Sequence, residues 1–230
     1  MFTTRRIAQR HGWNHKHFLS YQPYLFGAEE YGKALQYSQL MLNISTAAGD
    51  ALWHWNSLYA VANAYISLEK ADSGLLYAQE EYRYALALTN FTQKWVFDQD
   101  YQFPRNQIIA WSLHALGRAQ QLLKDDQLAL SYFTKGLSFA SSDSSDERAV
   151  VSIYSSIAQS FLNLSQIDSV IKYCHLYLGK DTLVPDVIPI YIYLAKAYER
   201  KNSDSAVTYY RIAVEKREKI FQRKITGSYC

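Results

Sequence analysis

Apolar residues recur along most of this chain at three- and four-residue spacing, in short bursts separated by polar turns. In one stretch Leu113, Leu116, Gln120 and Leu123 form a stripe at helical spacing, and Ala129, Phe133 and Leu137 form the next. That period places each set on one face of an amphipathic helix. The breaks "KDD" (124–126), "SQID" (165–168) and "KNSD" (201–204) interrupt the pattern and supply Asp, Asn or Ser as helix caps. The pattern therefore predicts pairs of helices joined by tight turns, each pair an antiparallel hairpin.

These hairpins repeat. Ala62, Tyr65 and Leu68 are followed by Gly74 and Ala78; Gly117, Gln120 and Leu123 by Ala129, Phe133 and Gly136. Ala158, Phe161 and Leu164 are followed by Val170, Cys174 and Tyr177, and Ala195 and Tyr198 by Ala206, Tyr210 and Ala213, with a hinge one residue shorter. A worn first copy has "KALQYSQLML" (33–42) as its second helix and a first helix around His17–Ala28. A glycine inside a helix costs about 1 kcal/mol relative to alanine. Gly117 is thus expected where two helices approach closely.

The alternation of small and large residues resembles the tetratricopeptide repeat (TPR), with Leu113, Leu116, Gly117, Ala129, Phe133 and Gly136 on the motif's positions and Gln120 in place of the expected aromatic. The resemblance implies an all-α, right-handed α-solenoid of about five TPR-like antiparallel helical hairpins. The expected copies lie near 18–44, 52–87, 108–140, 147–180 and 186–214, after a basic segment 1–17 and before a charged helical extension and tail 215–230. No single hairpin buries its apolar face, so stacking of neighbours supplies stability. The charged last helix is expected to act as a solubilising cap. The resemblance also implies that first helices line a concave groove that takes a protein or peptide. Carried over position by position, that groove is Asn56, Tyr59, Asn63, Trp111, His114, Arg118, Gln121, Ser155, Gln159 and Lys196. Amides and cations in such a row suit a peptide backbone and a carboxylate. The family's carboxylate clamp is not reproduced, because the cations are spread over copies three and five.

Composition narrows the chemistry. With 9 Gly and 4 Pro in 230 residues there is little material for the turns of an all-β fold, and 20 Tyr suit helix seams and grooves. A net charge of +3 is too weak to argue for direct nucleic-acid binding. No apolar run reaches membrane-spanning length, and the N-terminus has no apolar segment of signal-peptide type. The chain as written is thus expected in the cytoplasm, or in the periplasm if it is a fragment of a membrane-bound sensor.

No phosphate loop, H-E-x-x-H, G-x-S-x-G or paired C-x-x-C occurs. His11 and His15 stand four apart within a basic segment and lack a third ligand. Cys174 and His175 are sequence neighbours, which a helix splays about 100° apart. The pairs Glu29-Glu30 and Glu80-Glu81 and the "DDQ" at 125–127 read as caps or solvated faces. The reading is a non-enzyme with no catalytic residue, metal or cofactor. The 88–107 stretch, rich in aromatics, reads as a longer second helix plus a packed loop, or as a loop over the groove; the Ser/Asp break at 139–149 reads as a linker.

"KREKIFQ" (216–222) and the openings Asp168-Ser169-Val170 and Asp204-Ser205-Ala206 resemble the TPR sensor region of Bacteroidetes-type sensor histidine kinases or regulators. The expected function is a protein- or peptide-binding module, with a sensory role in bacterial signalling as its finer form. The alternative is a structural scaffold or homo-oligomerisation module, a homodimer included, with no free groove.

Overall fold

The computed structural model describes residues 30–88, 95–96, 102–103, 105–140, 147–178 and 187–226. The expected helix at 17–28, the basic segment with His11, His15 and His17, and most of the Ser/Asp break lie outside the described residues. The chain divides into two compact units, 1–125 and 126–230.

The first unit contains α1 (Tyr31–Ala48), α2 (Ala51–Ser67), α3 (Ala71–Ala87), a two-stranded antiparallel ladder of β1 (Trp95–Val96) and β2 (Gln102–Phe103), and α4 (Arg105–Leu122). Helix α3 stops at Ala87, so the expected longer second helix is corrected to a normal-length helix followed by a small β ladder. Each of α1 and α3 packs on α2, and α4 packs on α3 and α2. Helices α2 and α4 are buried around most of their circumference, whereas α1 and α3 bury one stripe each. That contrast separates inner from outer helices.

The second unit contains α5 (Asp126–Ala140), α6 (Glu147–Asn163), α7 (Ile167–Leu178), α8 (Ile188–Glu199) and α9 (Ser203–Thr226). Neighbours in sequence pack together, and α8 also lies on α6. The core is Val151, Ala158, Val170, Cys174, Tyr177, Ile190 and Leu194.

The repeat is visible in the backbone itself. The turns 68–70, 123–125 and 164–166 share one conformation, with Glu69, Lys124 and Ser165 at φ 56°, 65° and 58°. In each turn two N–H groups reach back across the helix end: Glu69 to Ile66 O and Lys70 to Tyr65 O, Lys124 to Gln121 O and Asp125 to Gln120 O, Ser165 to Leu162 O and Gln166 to Phe161 O, at 2.8–3.0 Å. This is the Schellman arrangement, which satisfies carbonyls a helix end would otherwise leave unpaired. The 200–202 turn is built differently: Asn202 Oδ1 accepts from the N–H groups of Asp204 and Ser205. The one-residue-shorter hinge in the sequence is thus a change from a left-handed exit to a side-chain cap.

A ring pair accompanies the turns. Tyr65 stacks on Tyr77 at 5.4 Å, Phe161 on Tyr173 at 5.1 Å and Tyr198 on Tyr209 at 5.4 Å, each pair bridging two helices of a hairpin. The small positions Ala34, Gly74, Ala129, Val170 and Ala206 are all buried. At Gly74 a Cβ would stand 2.8 Å from Ile66 Cγ1, so α2 and α3 meet there with no room for a side chain. Gly117 is buried within α4.

Candidate functional site

In the first unit the expected groove positions lie on α2 and α4, which face each other. An aromatic row runs along them: Trp55 and Tyr59 stack at 6.0 Å, Tyr59 meets Trp111 edge-on at 5.9 Å, and Trp111 meets His114 edge-on at 5.7 Å. At the far end the Arg118 Nη1 donates to Asn63 Oδ1 at 2.5 Å, and Asn63 Nδ2 donates to Tyr59 O at 2.8 Å. Asn56, Asn63 and His114 are buried, whereas Tyr59, Trp111, Arg118 and Gln121 are half-buried. The structure therefore brings Tyr59, Asn63, Trp111, His114 and Arg118 into one contact chain. It also turns part of the polar row inward, with Asn63 used to fix Arg118.

The second unit carries Ser155 and Gln159 on α6 and Lys196 on α8. Ser155 is half-buried, and Gln159 and Lys196 are exposed. The Lys196 ammonium stands 5.9 Å above the ring of Tyr193 on its own helix.

The strongest electrostatic feature of the first unit is a carboxyl that sequence reasoning placed in solvent. Glu81 is fully buried in α3. Its Oε1 lies 2.7 Å from Ser112 Oγ; that hydroxyl accepts from Trp55 Nε1 at 3.0 Å and lies 3.0 Å from Ile108 O. Desolvation is the dominant influence, outweighing the hydrogen bonds from Ser112 and Trp55, and pushes the carboxyl up to about 8. A proton on Oε1 accounts for the geometry: Ser112 Oγ then accepts from Glu81 and Trp55 and donates its one hydrogen to Ile108 O. Oε2 has no hydrogen-bond partner among the described residues. The signal for burial was in the chain, because Glu81 sits on the same helical stripe as Gly74, Ala78 and Ala85. Its neighbour Glu80, which is exposed, hid it.

The remaining chemical candidates are Cys174, His175 and Asp126. Cys174 Sγ is buried, points 3.6 Å from Ile190 O, and burial pushes the thiol up to about 12. His175 is exposed and meets the edge of the Tyr209 ring at 6.2 Å. Asp126, expected as a cap or in solvent, is instead buried in the first turn of α5, where its Oδ1 accepts from Asn163 Nδ2 at 3.1 Å. Among the described residues, no three His, Cys, Asp or Glu side chains gather as metal ligands. No described helix is long and apolar enough to cross a membrane.

Helical hairpins with a recurring turn, a recurring small-residue contact and a recurring ring pair define a helical-repeat fold of the TPR type. Solved structures agree on the fold. The chain is similar to a putative kinesin light chain from Podosopora anserina with nearly identical TPR-like repeats, at 13% identity, TM-score 0.58 and full coverage of both chains. It is similar to BtubC (BKLC) from P. vanneervenii at 13% identity and TM-score 0.64, over 99% of this chain and 88% of that one. A single-substitution form of the Podosopora protein matches at 14% identity and TM-score 0.57, over 99% and 100% of the two chains. No family model and no curated protein sequence matches the chain.

Proposed function

We propose that the chain is a protein-binding module whose α2–α4 face takes an extended peptide carrying an apolar or aromatic side chain and a carboxylate. The carrying observation is the half-buried Tyr59–Trp111 pair with Arg118 held in place by Asn63. Trp111 and Arg118 are seven residues apart on one helix, about 10 Å along its axis. That is the span of three residues of extended peptide. The half-buried rings give apolar contact at low entropic cost, and a pre-oriented guanidinium suits a carboxylate. In the second unit, Gln159 and Lys196 offer the same chemistry to a partner from exposed positions.

Panning a random peptide library displayed with free C-termini tests this. Enriched peptides should combine an apolar or aromatic residue with an acidic group. Arg118→Glu should weaken their binding about tenfold or more, and Lys196→Glu less, with far-UV circular dichroism unchanged. Recovery of no such peptides, or capture indifferent to Arg118→Glu, overturns the reading.

The finer reading, a sensory region of a bacterial signalling protein, is supported by the "DSA"- and "KREKIFQ"-like stretches. It is tested by sequencing the gene beyond the codon for Cys230. An in-frame output domain supports it, and a stop codon there counts against it.

A further inference from the structure

Helix α9, expected to act as a solubilising cap, carries an apolar row within its charged outer face. Val207, Val214 and Phe221 are 67%, 56% and 60% exposed, and they stand seven residues apart. Seven residues are two turns less about 20°, so the three form one row along the helix. The row is distinct from the face that α9 turns toward α8, where Ala206 and Ala213 are buried and Tyr209, Lys216 and Ile220 are half-buried. Apolar residues repeating every seven positions occupy one of the two lines that make the seam of a helix pair.

Length points the same way. Helix α8 has 12 residues and α9 has 24. The Lys216 ammonium lies 5.6 Å above the ring of Tyr191, in the first turn of α8. Beyond Lys216, α9 continues to Thr226 past the end of its neighbour. A helical segment of that length is marginal in water without a partner.

The charges beside the row select the partner. Exposed Arg211 stands three residues before Val214, and exposed Glu218 four residues after it. We infer that α9 pairs antiparallel with α9 of a second copy of this chain, about a two-fold axis at Val214. Val214 then meets its own counterpart, and Val207 lies against the partner copy's Phe221. Arg211 of each copy falls beside Glu218 of the other, giving two reciprocal ion pairs on one flank. On the opposite flank Tyr210, whose hydroxyl donates to Glu199 Oε1 at 2.8 Å, faces the other copy's Arg217. A parallel pair in register would put Arg211 of one copy and Glu218 of the other on opposite flanks, so the reciprocal Arg211–Glu218 pairs form only in the antiparallel arrangement. The pairing uses none of the α2–α4 residues, so it stands or falls separately from peptide capture.

Sedimentation velocity of the full chain at rising micromolar concentration tests the pairing. The expected mass is that of two chains. Val214→Glu should return it to one chain with helicity unchanged, whereas Leu76→Glu, at an exposed leucine of α3, should leave it paired. Arg211→Glu alone should weaken the dimer about tenfold, and Arg211→Glu with Glu218→Arg should restore it to within about threefold. A chain that stays monomeric, a dimer indifferent to Val214→Glu, or a double exchange that fails to recover each overturns the inference.

Discussion

The two units use one repeat and fill it differently. In the first, the inner helices α2 and α4 enclose polar groups: the Glu81–Ser112–Trp55 cluster and the Asn63–Arg118 pair. In the second, the corresponding layer is aliphatic and aromatic, with Val151, Ala158, Val170, Tyr177, Ile190 and Leu194 in contact. Buried polar contacts are directional, so they fix how helices register but leave a stake on every partner being present. Apolar packing is less directional and owes nothing to protonation state. The same small-residue scaffold thus holds a desolvated carboxyl between the inner helices of one unit and an apolar contact layer in the other.

The largest way to break that contrast is in the second unit. Tyr177 is fully buried, with its ring 5.7 Å from that of Tyr154. Tyr177→Ala should cost about 3–5 kcal/mol, by lost burial plus the cavity left behind. Urea unfolding followed by circular dichroism measures it, and the loss should be the same at pH 6 and pH 8. A loss that changes with pH would mean that a hidden titrating group sits in this core too.

The next test lies in the first unit. Glu81 is protonated in the folded chain up to about pH 8, but in the unfolded chain only up to about 4.5. Between those values the folded state holds one more proton than the unfolded state. Stability from this group is therefore complete below about 4.5, falls as pH rises through the window, and is fully lost above 8. At about 1.4 kcal/mol per pH unit the full swing is on the order of a few kcal/mol. Glu81→Gln keeps the shape, removes the charge and can still donate to Ser112, so it should flatten the decline and raise stability at pH 8 by about 1–3 kcal/mol. All 5 Trp lie before residue 126, so tryptophan fluorescence reports this unit. An unaltered pH profile in Glu81→Gln would show that the carboxyl is already ionised when folded.

Much of this contrast was readable from the chain, and the unread parts have specific causes. The small positions, the hairpin period and the shortened fourth hinge were visible because close helix contacts admit few residue types. The buried Glu81 was missed because the pair Glu80-Glu81 reads as a solvated surface, although one of two neighbours on a helix must point about 100° from the other. The contact between Asn63 and Arg118 was foreseeable only as a shared row, since spacing gives the face of a helix and not which side chains on it bond. The apolar row of α9 was masked by charge density: five Lys, Arg and Glu residues fill 215–219 between Val214 and Phe221.

The smallest effect is expected from a charge pair in solvent, and it sharpens the comparison from the other side. Lys201 in the α8–α9 turn donates to Asp168 in the first turn of α7, with side chains 45% and 88% exposed. Water screens such a pair, and ordering two mobile side chains offsets most of the attraction. Lys201→Ala should therefore cost less than about 0.5 kcal/mol and vanish in high salt. Asp168 also meets the positive end of α7, so Asp168→Asn should cost more than Lys201→Ala, by about a few tenths of a kcal/mol. A double-mutant cycle in urea separates the two terms, because the helix-end part survives when Lys201 is already gone. If the coupling proved as large as the Glu81 effect, burial would not be what separates the two units. A small coupling leaves desolvation as what sets the buried Glu81 apart from a carboxylate paired in solvent.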